Sequence, residues 1–176
     1  MALTITTDRL ELVAGSAEMA RAEIDDPPKT FRLLGAEPPD DWPPPLNDAE
    51  SMKYFVSRLE RGPEYFGWMW WYIALGERRN ERRVLVGNIG FKDLPDADGT
   101  VEIGYSILPR FQRRGYATEA VRGLVAWAFS HPEVHRVIAE TFPDLTASIR
   151  VLERNGFGRV DEAASEPGAI RFARPR

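Results

Sequence analysis

The chain has 176 residues, 43% of them apolar and 28% charged, with a formal net charge of −4. This is the profile of one globular domain, read as residues 1–176 and long enough to bury a core. There is no cysteine, which excludes disulfides, thiolate metal sites and a cysteine nucleophile; His131 and His135 are too few for a metal cage, so no metal is expected.

Residues 4–13 alternate β-branched or apolar side chains with polar ones and predict a first strand. Ser16 is placed to cap a helix running to about Glu23. Prolines at 27–28, 38–39 and 43–45 predict loops and short helical turns, with Trp42 either lining a pocket or pinning a rigid connector to the core. Asn47 or Asp48 caps a helix to about Arg61, with Met52, Phe55, Val56 and Leu59 on one face. Residues 68–75 form a strand covered on both faces, an aromatic row more typical of core than of pocket. A charged turn over 77–83 leads to a strand over 84–92. Asp96-Ala97-Asp98-Gly99 then turns the chain into a strand over 100–108.

Residues 116–130 predict a helix that buries Ala117, Ala120, Val121, Leu124, Val125, Ala128 and Phe129. A strand over 134–142, a helix over 146–155 ended by Gly156, and a hairpin of 157–160 with 169–173 complete the chain. The fold class is α/β (α+β), a mixed sheet with helices on its faces. No apolar run spans a membrane and residues 1–4 open no signal peptide, so no membrane partner and a cytoplasmic location are expected.

Gln112-Arg113-Arg114-Gly115-Tyr116-Ala117 lies between a strand and a helix. The first amides of a helix lack intrahelical partners and carry partial positive charge, so this turn suits an anion. Gly115 admits a close backbone approach, and Arg110, Arg113 and Arg114 add full charges. Residues 1–66 hold 13 acidic and 7 basic side chains, and residues 67–176 hold 14 and 16. The basic part suits an anionic ligand and the acidic part a cationic one, unless both are simply solvated surfaces. The few arginines near 110–114 in an acidic chain argue against nucleic acid.

The blocks Val101-Glu102-Ile103-Gly104-Tyr105-Ser106-Ile107-Leu108-Pro109 and Gln112 to Ala120 closely resemble the GNAT superfamily of acetyl-CoA-dependent N-acetyltransferases. Thr146-Ala147-Ser148-Ile149-Arg150-Val151-Leu152-Glu153-Arg154-Asn155-Gly156-Phe157 looks like its second block. Thr7-Asp8-Arg9-Leu10-Glu11-Leu12 looks like the opening strand of the RimJ/RimL-type branch. The resemblance covers residues 4–160 and implies a GNAT fold, a mostly antiparallel central sheet with helices on both faces.

The resemblance implies acetyl-CoA as donor, with the backbone of Ile107 and Leu108 pairing with the pantetheine arm. Gln112 belongs to the signature, and the amides of Arg113, Arg114, Gly115, Tyr116, Ala117 and Thr118 would hold the pyrophosphate. The acceptor would be a primary amine, on a protein N-terminus or a small cationic molecule. Glu102 is the first candidate for general base, against a purely structural carboxylate, with Glu140 in reserve. Ser148 matches the family serine, which caps its helix, contacts the cofactor or protonates the leaving thiolate; Tyr105 and Tyr116 read as packing residues. Leu145 stands where the family usually has asparagine, which opens the alternative of a noncatalytic acyl-CoA-binding sensor. A homodimer is left open.

Overall fold

The computed structural model describes residues 3–45, 47–76 and 82–176. Most of the charged turn expected at 77–83 lies outside the described residues. The strand expected over 4–13 is two strands, β1 (Thr4–Thr6) and β2 (Leu10–Ala14), paired antiparallel. Between them Thr7 N–H donates to the Leu10 carbonyl at 2.9 Å, and Leu10 N–H donates to Thr7 Oγ1 at 3.1 Å. The apolar alternation continues across this turn, which is why the sequence reads as one strand.

Helix α1 (Ala17–Asp25) starts as expected, with Ser16 Oγ accepting from Met19 N–H at 3.2 Å. In the stretch expected to hold loops and short helical turns, Pro27-Pro28 opens an eight-residue helix, α2 (Pro27–Leu34). Proline lacks only an N–H that a first helical turn would leave unpaired anyway. Glycine at 35 (φ 61°) ends α2 before the short strand β3 (Ala36–Glu37). Helix α3 (Ala49–Leu59) is capped by Asp48, whose Oδ1 accepts from Ser51 N–H at 2.8 Å.

Strand β4 (Trp71–Leu75) begins later than expected, because residues 63–65 form a 3-10 turn and Trp68 packs against Trp127 and His131. Next come β5 (Arg83–Phe91), β6 (Thr100–Ile107), α4 (Tyr116–Phe129), β7 (Arg136–Thr141) and α5 (Thr146–Arg154). The chain ends with β8 (Gly158–Val160) and β9 (Ile170–Pro175).

The strands form one sheet in the order β1-β2-β4-β5-β6-β7-β9-β8, with β3 alongside β5. All neighbours are antiparallel except β6–β7 and β3–β5. The expected terminal hairpin exists, but β9 inserts between β7 and β8. Helix α4 covers one face, burying Ala120, Val121, Leu124, Val125 and Ala128, while Trp71, Ile73, Ile89 and Phe91 are buried within the sheet. Each fully buried large aliphatic side chain contributes roughly 1.5–3 kcal/mol. The group α1–α3 covers the other face: Tyr72 of β4 bonds Glu23 of α1, and Phe55 of α3 packs on Trp70.

The pairing of β6 with β7 positions the site. It runs only from Thr100↔Arg136 to Glu102↔Ile138, after which the two parallel strands part. The rest of β6 stays paired with β5 on its other edge.

Candidate active site

The parting strands leave a fork in the sheet. The Glu102 carbonyl accepts from Lys92 N–H at 2.8 Å, and Leu108 N–H donates to Val86 at 2.8 Å. Peptide groups alternate sides along a strand, so those of Tyr105 and Ile107 point into the fork. Of the two residues expected to present backbone there, Leu108 therefore spends its amide on β5. The Ile107 carbonyl accepts from Gln112 Nε2 at 3.0 Å, which makes Gln112 the tie between the end of β6 and the turn that follows.

That turn has two residues with left-handed backbone, Arg113 (φ 61°) and Gly115 (φ 82°, the N-cap position of α4). Alternating handedness of this kind makes successive N–H groups converge on an anion, and the dipole of a fourteen-residue helix adds to the effect. Tyr116, Ala117 and Thr118 supply the first turn of α4. A cleft of about 440 Å³ opens beside them, lined among others by Gly115, Thr118, Arg122 and Arg154. Arg110 turns away to Asp41 at 3.3 Å and lies over Phe111.

Glu102 is the last residue of β6 paired with β7, so its carboxylate stands at the fork, with 18% of the side chain exposed. It is ion-paired with Lys92, whose half-exposed ammonium can exchange it for solvent. Side chains alternate between the faces of a strand, so Tyr105 points to the opposite face. The Tyr105 hydroxyl lies 3.1 Å from Ser148 Oγ and 3.2 Å from the Ser148 carbonyl. Burial pushes the Tyr105 pKa up to about 12 against the opposing effect of the Ser148 bond, so the phenol is neutral at working pH. Tyr105 thus does more than pack.

Ser148 is not a helix cap: α5 begins at Thr146, Leu145 holds the cap position without a side-chain bond, and Ser148 is the third helical residue. The reserve base, Glu140, is fully engaged. Its oxygens accept from Ser165 N–H at 3.0 and 3.1 Å, Ser165 Oγ at 2.6 Å, and Arg171 Nε and Nη2 at 3.0 and 2.6 Å. Burial pushes its pKa up, but the bonds from Ser165 and Arg171 outweigh that and leave it below the ordinary value. A carboxylate so held pins the 161–169 loop and has no lone pair to spare for a substrate proton.

Sequence reasoning missed Arg9 and Glu119. The Glu119 carboxylate accepts from Thr7 Oγ1, Arg9 N–H and Arg9 Nε, each at 2.7 Å. A first-turn carboxylate complements the helix dipole but would compete with a bound anion at the candidate turn, and that was the signal for a basic partner. Trp42 is a connector pinned to the core: it stacks on Tyr72 at 6.2 Å, meets Phe31 edge-on and donates to Glu23 Oε1 at 2.8 Å. His131 lies at the far end of α4, its Nδ1 3.0 Å from the Trp127 carbonyl.

Comparison with known proteins agrees with this architecture. Residues 18–158 match the acetyltransferase (GNAT) domain model. The chain is 29% identical over 153 residues to the protein named Uncharacterized N-acetyltransferase YjdG of Bacillus subtilis (strain 168), covering 87% of this chain and 88% of that one. An acetyltransferase structure from Agrobacterium tumefaciens str. C58 superposes with a TM-score of 0.68 at 23% identity, covering 99% of this chain and 95% of that one. RimL, a ribosomal L7/L12 alpha-N-protein acetyltransferase solved in complex with coenzyme A, gives 0.63 at 21% identity, covering 98% of both. The chain belongs to the GNAT acetyltransferase family and is an acyltransferase of the N-acetyltransferase type.

Proposed function

We propose that the protein transfers an acetyl group directly from acetyl-CoA to a primary amine, in the manner of the RimJ/RimL-type branch. The observation that carries this reading is the fork itself, with Glu102 on one face and the Tyr105–Ser148 hydroxyl pair on the other. The residues fit a CoA thioester: left-handed Gly115 leaves a backbone cradle that a side chain would crowd, and peptide groups of Tyr105 and Ile107 line the fork. Bound acetyl-CoA supplies an activated carbonyl.

Amides from Arg113 to Thr118 hold the pyrophosphate. Glu102 takes the proton of the incoming amine, directly or through water, once Lys92 yields. A backbone amide of β6 meets the developing oxyanion. With acetyl-CoA bound, the thioester would supply the carbon that accepts the amine and a thiolate as leaving group, and the Tyr105–Ser148 pair would hold a proton for that sulfur. The acceptor, a protein N-terminus or a small cationic amine, approaches from the face that bears α1–α3. Acidic residues 1–66 favour its charge.

The test is acetyl-CoA turnover with a panel of amines, for the native chain, Glu102→Gln and Gly115→Glu. We expect turnover for the native chain, a lower rate for Glu102→Gln with a changed pH–rate profile, and no acetyl-CoA binding for Gly115→Glu despite an intact fold. A pH–rate profile of Glu102→Gln identical to that of the native chain removes Glu102 as the base. Leu145 supports one second reading, a sensor that binds acyl-CoA without turnover. Tight binding with no transfer to any amine would establish it.

A further inference from the structure

We propose that Arg9 and Glu119 form a clamp that shapes the phosphate turn and cancels the negative charge of Glu119, one of two acids with Asp8 on the cleft beside it, making the β1–β2 turn a working part of the cofactor site. Arg9 is thereby a positioning residue. The inference rests on the reading of residues 113–118 as the pyrophosphate site.

Glu119 sits in the opening stretch of α4, and its carboxylate lines the same cleft as Gly115 and Thr118. Left bare, it would repel a pyrophosphate. Instead Oε1 accepts from Thr7 Oγ1 and Arg9 N–H, and Oε2 accepts from Arg9 Nε. The same guanidinium reaches on. Its Nη1 donates to the Arg114 carbonyl at 3.0 Å, the residue between left-handed Arg113 and Gly115. Its carbon lies 5.0 Å from the centre of the Tyr116 ring, and its Nη2 is 3.2 Å from where a Cβ on Gly115 would stand. One side chain therefore contacts the turn on either side of Gly115, at Arg114 and Tyr116, and neutralises Glu119 beside it. Only the planar guanidinium fork makes these bonds at once; a lysine ammonium does not.

Exposure decides where the effect appears. Half of the Arg9 side chain is in solvent, and exposed ion pairs add little to global stability. The clamp acts on the shape and charge of the turn, so its loss registers in cofactor affinity.

The experiment titrates CoA calorimetrically into the native chain, Arg9→Ala, Arg9→Lys, Glu119→Gln and the Arg9→Ala/Glu119→Gln double variant, and records each melting midpoint. Arg9→Ala should weaken CoA binding roughly ten- to a hundredfold, the range for bonds to charged groups. Arg9→Lys should recover part of the loss. The double variant should bind CoA more tightly than Arg9→Ala, because the bare carboxylate is gone; a merely structural link would leave it as weak as Arg9→Ala. In the native chain CoA should also slow hydrogen exchange at the Arg9 amide, since linkage is reciprocal.

CoA affinity of Arg9→Ala within about twofold of native, which is the error of such comparisons, overturns the clamp. A double variant no better than Arg9→Ala overturns charge cancellation. If Arg9→Ala does not fold, Arg9→Lys and Glu119→Gln carry the same comparison. A native chain that fails to bind CoA overturns the pyrophosphate reading and the clamp with it; a native chain that binds while all variants match it overturns the clamp alone.

Discussion

Replacing Leu145 with asparagine should make the protein both more stable and a better binder of CoA. Two of its helices are capped by side chains: Ser16 accepts from Met19 N–H at 3.2 Å and Asp48 from Ser51 N–H at 2.8 Å. Both caps have extended backbone, with ψ of 163° and 170°. Helix α5 has Leu145 at the same position, with ψ 62° and no side-chain bond. Its first amide, Thr146 N–H, is already taken by the Asp144 carbonyl at 2.9 Å, so the gain available is one further amide in the first turn. The leucine is 42% exposed, so little burial is forfeited. An asparagine cap is worth about 1 kcal/mol, less the cost of rotating ψ. For a chain of this size that is a rise in Tm of about 2–4 °C. If the same side chain reaches the cofactor arm, CoA affinity should rise by up to about tenfold, the value of one good hydrogen bond. Thermal denaturation of the ligand-free protein measures the first effect and CoA titration the second. An unchanged or lower midpoint would refute the capping argument, and unchanged affinity would refute a contact with the arm.

Three further outcomes follow from buried polar groups. Asn88 is 5% exposed, and its Nδ2 is buried with no partner among the described residues, so Asn88→Leu should raise stability by about 1 kcal/mol in urea denaturation; a lower midpoint would mean that the amide is satisfied. Tyr105→Phe removes the hydroxyl beside Ser148 and should cut kcat about a hundredfold, the low end for proton-transfer groups. The native phenol stays protonated until about pH 12, so the alkaline limb of the pH–rate profile should not move, and a shift would contradict its burial. Glu23 and Glu140 should give stability slopes of opposite sign. Burial raises the Glu23 pKa against its bonds to Tyr72 and Trp42, so the folded chain keeps a proton that the unfolded one releases. Stability is then lost as pH rises from the ordinary 4.5 through the native value, and Glu23→Gln should flatten that loss. The Glu140 pKa is lowered, so its contribution is present above 4.5 and lost as pH falls through the native value; Glu140→Gln should flatten the acid side. Denaturation midpoints from about pH 3 to about pH 7 measure both, and slopes of like sign would contradict them.

Periodicity and turn chemistry, both local, made most elements legible. The run from Ala117 to Ala128 shows helical spacing, Ser16 and Asp48 mark helix starts, and Asp96 to Gly99 marks a hairpin. The candidate anion turn at 112–117 was equally legible as a strand–turn–helix junction, because glycine with arginines between a strand and a helix is itself a local pattern. Local readings failed where a short-range rule had two outcomes. Alternation ran unbroken across the turn at 7–9, and Pro27-Pro28 both breaks a preceding helix and starts a new one.

Tertiary structure decided what depends on distant neighbours. The parting of β6 from β7 follows from pairing register, which no property of either strand alone reveals. The insertion of β9 beside β7 sets Arg171 against Glu140 and removes that carboxylate from the list of bases. Arg9 and Glu119, 110 residues apart in sequence, meet only because α4 packs over the first hairpin. The sequence determined which residues have the right chemistry for an acyl transfer site. The fold determined which of them keep free lone pairs and protons, because that depends on every group packed against them.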